Sequence, residues 1–188
     1  LFRSEELKDW TKALPAIQET PQKMYLPSKD DLRKFKRSFD TQHHWDFRNY
    51  VIFCLLLGTG IRVGELCNLT LDNLMLNDNL MQVKGKTAEM TSEDCRTVAL
   101  TNDLVSILSQ WLKHRKRYTR AQDSPYVFVS KRGKKCTPNG IGQVFRKKQE
   151  AHNLPKITPH TLRHAFCTTY IRRKGSLPRL KNMTGHKS

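Results

Sequence analysis

Val51-Ile-Phe-Cys-Leu-Leu-Leu57 runs directly into Gly58-Thr-Gly-Ile-Arg-Val-Gly-Glu-Leu66. The first stretch is apolar at every position. A surface helix shows a single apolar stripe, so a helix from about Trp45 to Leu57 has to lie centrally, with neighbours on all sides. Gly58 and Gly60 are expected to close it and to permit a tight reversal, which leaves Arg62 at the top of the core. A guanidinium placed there can grip an anion with two parallel N–H bonds. Glu65 can pair with Arg62 or orient a neighbouring basic group.

Upstream of this stretch, Ser28 reads as an N-cap, with Asp30 and Asp31 in the first turn and Leu32, Phe35 and Phe39 on one face. Residues 1 to 26 are polar and broken by Pro15 and Pro21, with Pro27 just beyond. They read as a linker or the remnant of a preceding domain, with one domain over 27–188. Downstream, a short helix opens near Arg62 and carries Leu66 and Leu69. Leu80 to Val83 and Arg96 to Leu100 read as a strand and its return, around a polar turn from Gly85 to Asp94. Thr101 or Asn102 caps a helix whose Leu104, Ile107, Leu108, Trp111 and Leu112 recur at helical spacing. Tyr126 to Val129 reads as a short strand or extended segment. Thr137-Pro138 and Thr158-Pro159 each start a helix, and a last one covers about Leu177 to Met183. The expected fold class is α+β: mostly helical, with a small antiparallel β-sheet.

His160-Thr-Leu-Arg-His164 is the second informative segment. Pro159 at the first helical position puts His160 in the first turn, where unbonded N–H groups and the helix dipole favour an anion. Arg163 and His164 follow at helical spacing and share that face. Taken alone, the segment fits a capped helix with a surface arginine and two ordinary histidines equally well. A zinc site is disfavoured, because no Glu follows His160 and no third ligand is evident.

The chain carries 34 Lys+Arg against 17 Asp+Glu, a net charge of +17 spread along its 188 residues. A basic folded domain of that kind most often meets nucleic acid. Lys131-Arg132-Gly-Lys134-Lys135 in a turn, Lys113 to Arg117, and Arg146 to Lys148 are candidate backbone contacts, as is Lys84. The start, Leu1-Phe-Arg-Ser-Glu-Glu6, lacks the apolar core of a secretion signal, and the apolar run Tyr50 to Gly60 is too short to span a bilayer. Five scattered cysteines without a Cys-x-x-Cys pair argue against a disulfide framework or a structural zinc site, and for a reducing interior.

Read together, the segments resemble the tyrosine recombinase (phage integrase) family. Thr59-Gly-Ile-Arg62-Val-Gly-Glu65-Leu66 is similar to its first arginine motif and Gly85-Lys86 to its lysine hairpin. His160-Thr-Leu-Arg163-His164 is similar to its His-x-Leu-Arg-His helix and Gly185-His186 to its Gly-His pair, all in the family's order. The resemblance covers about residues 28 to 188. It implies a site-specific DNA recombinase, an integrase or transposase of a mobile element, that cuts and rejoins double-stranded DNA through a 3′-phosphotyrosyl intermediate.

By resemblance, Arg62 and Arg163 clamp the non-bridging phosphate oxygens, and His186 adds a hydrogen bond. Lys86 protonates the leaving 5′ oxygen and His160 takes the tyrosine's proton, while Glu65 and His164 support them. No metal or other cofactor is implied. A homo-oligomer on DNA, a tetramer, and a cytoplasmic, nucleoid-associated location are.

The family's nucleophilic tyrosine comes about ten residues after the Gly-His pair. The sequence here stops at Ser188, and none of Tyr25, Tyr50, Tyr118, Tyr126 and Tyr170 has that position. The expectation is a catalytic domain cut before its nucleophile and deficient in cleavage by itself. Two alternatives stay open: a catalytically dead DNA-binding regulator on the same fold, and a type IB topoisomerase-like enzyme.

Overall fold

A computed structural model describes residues 25–85 and 95–185. The expected linker up to residue 24, the turn carrying Lys86, and His186 lie outside the described residues.

The apolar run forms α2, His44–Thr59, and the surrounding elements converge on it. Val51, Ile52, Phe53, Leu55 and Leu56 are at most 1% exposed. Burying each such side chain contributes about 2 kcal/mol. α1, Lys29–Arg37, is started by Ser28, whose hydroxyl accepts the Asp31 N–H while the Asp31 carboxylate accepts the Ser28 N–H. Phe35 of α1 and Phe39 just beyond it meet Phe53 of α2 and Phe145 of α5, Pro138–Ala151, in one cluster of edge-to-face and tilted rings.

α2 also packs against α4, Asn102–Lys116, and α6, Pro159–Arg172. The contact with α4 is close because Gly58 has no side chain: a Cβ there would stand 2.8 Å from Leu104 Cδ1. Gly58 is therefore a packing residue within the helix and does not close it. Gly60 alone ends α2, at φ 66°, with its N–H donating to the Leu56 carbonyl.

The sheet has three antiparallel strands in chain order: β1 Leu74–Met75, β2 Leu80–Lys84 and β3 Cys95–Ala99. Leu80 faces Ala99, Val83 faces Arg96 and Lys84 faces Cys95. Met81, Val83 and Val98 point into the core, while Gln82 and Lys84 point out, as the two-residue period of a half-buried strand requires. The Leu100 N–H closes the end of the hairpin on the Asn79 carbonyl at 2.7 Å.

Tyr126 to Val129 is extended but outside this sheet, with single bridges to Thr70 and Lys135 at its ends. Besides the backbone bonds of Val127 N–H to Leu69 and of Cys136 N–H to Phe128, side chains hold this segment. Trp111 Nε1 donates to the Val127 carbonyl at 3.0 Å, Arg115 Nε to Tyr126 at 3.0 Å, and the buried Arg48 to Val129 at 2.6 Å. α3, Val63–Asn68, bridges α2 and the sheet, and α7, Leu177–Thr184, is the last helix among the described residues. No helix among the described residues is long and apolar enough to cross a membrane.

Candidate functional site

Two left-handed glycines make the site. Gly60 ends α2 and Gly185 ends α7, each at φ 66° and each crowded where a side chain would be. A Cβ on Gly60 would stand 2.3 Å from the Phe166 ring, and one on Gly185 would stand 2.9 Å from Arg96 Nη1. The turn at Gly60 delivers Arg62 to the start of α3.

The carbonyls of the two glycines then receive the two arginines crosswise. Arg163 Nη1 donates to the Gly60 carbonyl at 2.6 Å, and Arg62 Nη2 donates to the Gly185 carbonyl at 2.8 Å. Arg163 Nη2 also reaches the Thr184 carbonyl at 2.8 Å. The last carbonyls of a helix have no intrahelical donor and carry its negative dipole end, so cations belong there.

Arg163 is buried on α6, whereas the Arg62 side chain keeps 43% exposure. Burial, and then the charge of Arg62, push the Arg163 guanidinium below its ordinary value. It stays protonated at any physiological pH.

Glu65 lies beneath Arg62, 6% exposed. Its carboxylate accepts the Arg62 backbone N–H at 2.7 Å and Arg62 Nη1 at 3.1 Å. It also accepts a two-pronged pair from Arg96 Nη1 and Nη2, at 2.8 and 2.7 Å. Burial by itself raises the Glu65 pKa, but the Arg96 fork and the Arg62 N–H outweigh it and hold the carboxyl below its usual range.

His160 and His164 stand one helical turn apart on α6, with their Nε2 atoms 2.9 Å apart. One nitrogen of such a pair donates and the other accepts. Burial, then the charges of His160 and Arg163, push His164 below the ordinary histidine value. Thr158 caps this helix by accepting the Thr161 N–H at 3.1 Å, which fixes His160 in the first turn.

Arg62, His160 and Arg163 share one open cleft of about 790 Å³ with Glu65, Lys135 and Gly85. The cleft is bounded by α3, the start of α5 and the start of α6. Among the described residues, no group of three or more His, Cys, Asp or Glu side chains is clustered as a metal ion requires.

The sequence-predicted residues thus divide. Arg62, Glu65, His160, Arg163 and His164 come together. Lys84 is exposed at the end of β2, beside Gly85, and Lys86 and His186 lie outside the described residues. In the basic turn, Lys131, Arg132 and Lys134 are exposed, and Arg132 and Lys134 line a second, shallower cavity with Arg120. It is Lys135 that reaches the main cleft, its Nζ held by Asn68 Oδ1 at 2.9 Å. Sequence reasoning placed Lys135 only in a basic turn of backbone contacts, and it missed Arg96. The signal for Arg96 was indirect, since Glu65 could orient a basic neighbour, but nothing marked which one.

A model of the Phage integrase family matches residues 28–188, a span that holds every residue of this cleft. The chain belongs to the phage integrase family. Within it, the TnP I resolvase of Bacillus thuringiensis is 31% identical over 157 residues, 83% of this chain and 51% of that protein. The crystal structure of XerA recombinase has a TM-score of 0.74 at 28% identity, covering 89% of this chain and 58% of that one. The Tn1549 transposon integrase, solved in complex with a circular intermediate DNA, has a TM-score of 0.78 at 20% identity, covering 92% of this chain and 61% of that one. At that identity the likeness shows the fold. The chain spans between about half and three-fifths of the length of these relatives.

Proposed function

We propose that this chain is the catalytic domain of a site-specific DNA recombinase that cuts and rejoins double-stranded DNA through a 3′-phosphotyrosyl intermediate. The observation that carries the reading is the crosswise anchoring of Arg62 and Arg163, beside His160, in one basic cleft. In-line attack on a phosphodiester gathers negative charge on the non-bridging oxygens, and donors already fixed in place stabilise it without reorganising. Arg62, the more exposed of the two, lines the cleft, and Arg163 backs it from α6.

The remaining roles follow from the same chemistry. A tyrosine oxygen attacks phosphorus, its proton passes to His160, and the bond to the 5′ oxygen breaks as Lys86 supplies that oxygen with a proton. His186 adds a donor to the phosphate, while Glu65 and His164 hold Arg62 and His160 in place. In the reverse attack the 5′ hydroxyl gives its proton to Lys86 as it bonds phosphorus, and the bond to the tyrosine breaks as His160 returns that oxygen's proton.

None of the five tyrosines lines the cleft: Tyr170, the one on α6, packs its ring over Gly175, and Tyr25 donates to Asp31. We assign the nucleophile to a tyrosine outside residues 1–188. Lys84, Lys131, Arg132 and Lys134 are backbone contacts that add affinity without sequence choice. Residues 1–26 are a linker to, or the remnant of, a preceding DNA-binding domain. The acting form is a homo-oligomer, a tetramer, on DNA, and its place is the cytoplasm, at the nucleoid. Support for DNA as partner comes from the net charge of +17 and from the Tn1549 integrase, which carries DNA on the same fold.

The test is to incubate the full-length protein with nicked DNA carrying its cognate site and to map any covalent adduct by proteolysis. An adduct on a tyrosine beyond residue 188 supports the proposal. An adduct on Tyr170 reassigns the nucleophile. Absence of an adduct, on DNA shown to be bound, points to a DNA-binding regulator with an idle pocket.

A further inference from the structure

We infer that Arg96 is a positioning residue of this site, setting where Arg62 stands and where α7 ends. The inference rests on the reading of the cleft as a phosphodiester site and goes beyond it, because Arg96 itself does not line the cleft.

The Arg96 guanidinium works in two directions at once. Its two terminal nitrogens take both oxygens of Glu65, at 2.8 and 2.7 Å, and its Nε donates to the Met183 carbonyl at 3.0 Å. The side chain is 15% exposed, against 43% for Arg62. A two-pronged pair fixes the rotation of a carboxylate as well as its position. With Glu65 so fixed, Oε2 is aimed at the Arg62 backbone N–H and Oε1 at Arg62 Nη1. A carboxylate released from Arg96 could turn and take the whole Arg62 fork, drawing that guanidinium down from the cleft.

The charge balance points the same way. The Glu65 carboxylate takes one side-chain nitrogen of Arg62 and both terminal nitrogens of Arg96, so Arg96 holds the larger share of it.

At the other end, three consecutive carbonyls at the end of α7 accept from arginines: Met183 from Arg96, Thr184 from Arg163 and, at 3.5 Å, from Arg62, and Gly185 from Arg62. Arg96 is the member that ties this triplet to the sheet, since it sits on β3 opposite Val83. The space Gly185 leaves open is filled by Arg96 Nη1.

The experiment uses the full-length protein on nicked DNA carrying its cognate site, with single-turnover cleavage at saturating DNA and DNA affinity measured separately. The variant is Arg96→Lys, which keeps the charge beside Glu65 but cannot fork its carboxylate and hold Met183 together. The expected result is cleavage slowed by about 10²-fold, the size of effect that an ångström of misplacement produces, with affinity for DNA unchanged. Arg96→Lys cleaving at the wild-type rate would overturn the inference, because charge alone would then suffice. An equal loss of affinity and rate would also overturn it, by making Arg96 a DNA contact. Thermal midpoints are read alongside, and a less stable variant is compared with wild type at a temperature where both are folded. Failure of the wild type itself to form an adduct strikes the proposed function, whereas an active wild type beside an equally active Arg96→Lys strikes only Arg96.

Discussion

Arg163 Nη1 lies 2.6 Å from the carbonyl of Gly60, 103 residues earlier in the chain. A residue on α6 is thereby held by the end of α2, whose apolar run is buried in the core.

Arg163→Ala in the full-length protein should abolish suicide-substrate cleavage while DNA binding largely persists. The substitution also strips a donor from the Gly60 and Thr184 carbonyls, a loss of about 1–3 kcal/mol. Urea unfolding measures the second effect and a denaturing gel the first. Loss of DNA binding, or retained cleavage, would contradict the role assigned to Arg163.

Gly60→Ala should destabilise the fold in two separable ways. The left-handed backbone costs a non-glycine residue on the order of 1 kcal/mol, and the new Cβ stands 2.3 Å from the Phe166 ring. Pairing it with Phe166→Ala should recover the steric part and leave the backbone part. A double-mutant cycle by denaturant melts gives the two values, and simple additivity would contradict the clash.

Acid should weaken the fold in two steps. Burial first, then the charges of His114, Arg48 and His43, hold His44 below its ordinary value, and His164 is likewise held down. A lowered histidine contributes stability that is full above about pH 6.5 and is lost as the pH falls through the lower folded value. Glu65, also held low, contributes in full above about pH 4.3 and is lost as the pH falls through its folded value. His44→Leu should flatten the first step and spare the second. Melting temperatures across the pH range decide it, and an unchanged first step would clear His44 of the effect.

The cysteines should separate cleanly under a thiol reagent. Burial, then the neighbouring Cys136, pushes the Cys67 thiol up to about 12, and Cys136 is also raised by burial. Only the thiolate reacts, so both should stay unlabelled in the native protein, while the exposed Cys95 is modified. Mass spectrometry after brief alkylation reads this directly. Cys67 and Cys136 both line the cleft, and native labelling of Cys67 would mean that the packing around it opens.

What was legible in the sequence follows from what is local. Ser28, Thr101, Thr137 and Thr158 accept hydrogen bonds from their own helices, so the helix starts could be read from residues a few positions apart. The apolar run of α2 announced its burial for the same reason. The pairs of Arg62 with Glu65 and of Arg163 with the His160 helix are one turn apart and visible as spacing.

The rest depends on approach between distant segments. Gly58 and Gly60 look alike in the sequence, and only Leu104 on α4 makes one a packing residue and the other a cap. β1 is two residues long, too short to carry any period. Arg96 is chosen as the partner of Glu65 by the register of β3 against β2, and Lys135 enters the cleft by its bond to Asn68. Neither relation leaves a mark in the spacing of residues.

The crosswise arginines have a consequence for the order of folding. Arg62 bonds a carbonyl 123 residues later, and Arg163 one 103 residues earlier. Contacts so distant in sequence form only after the long intervening loop has been closed, and that entropy is repaid last. The anion grip is therefore a late product of folding. An intermediate with its helices formed and α7 undocked has all of the positive charge and only part of the geometry: it can adhere to DNA, but the Arg62 anchor on the Gly185 carbonyl is missing.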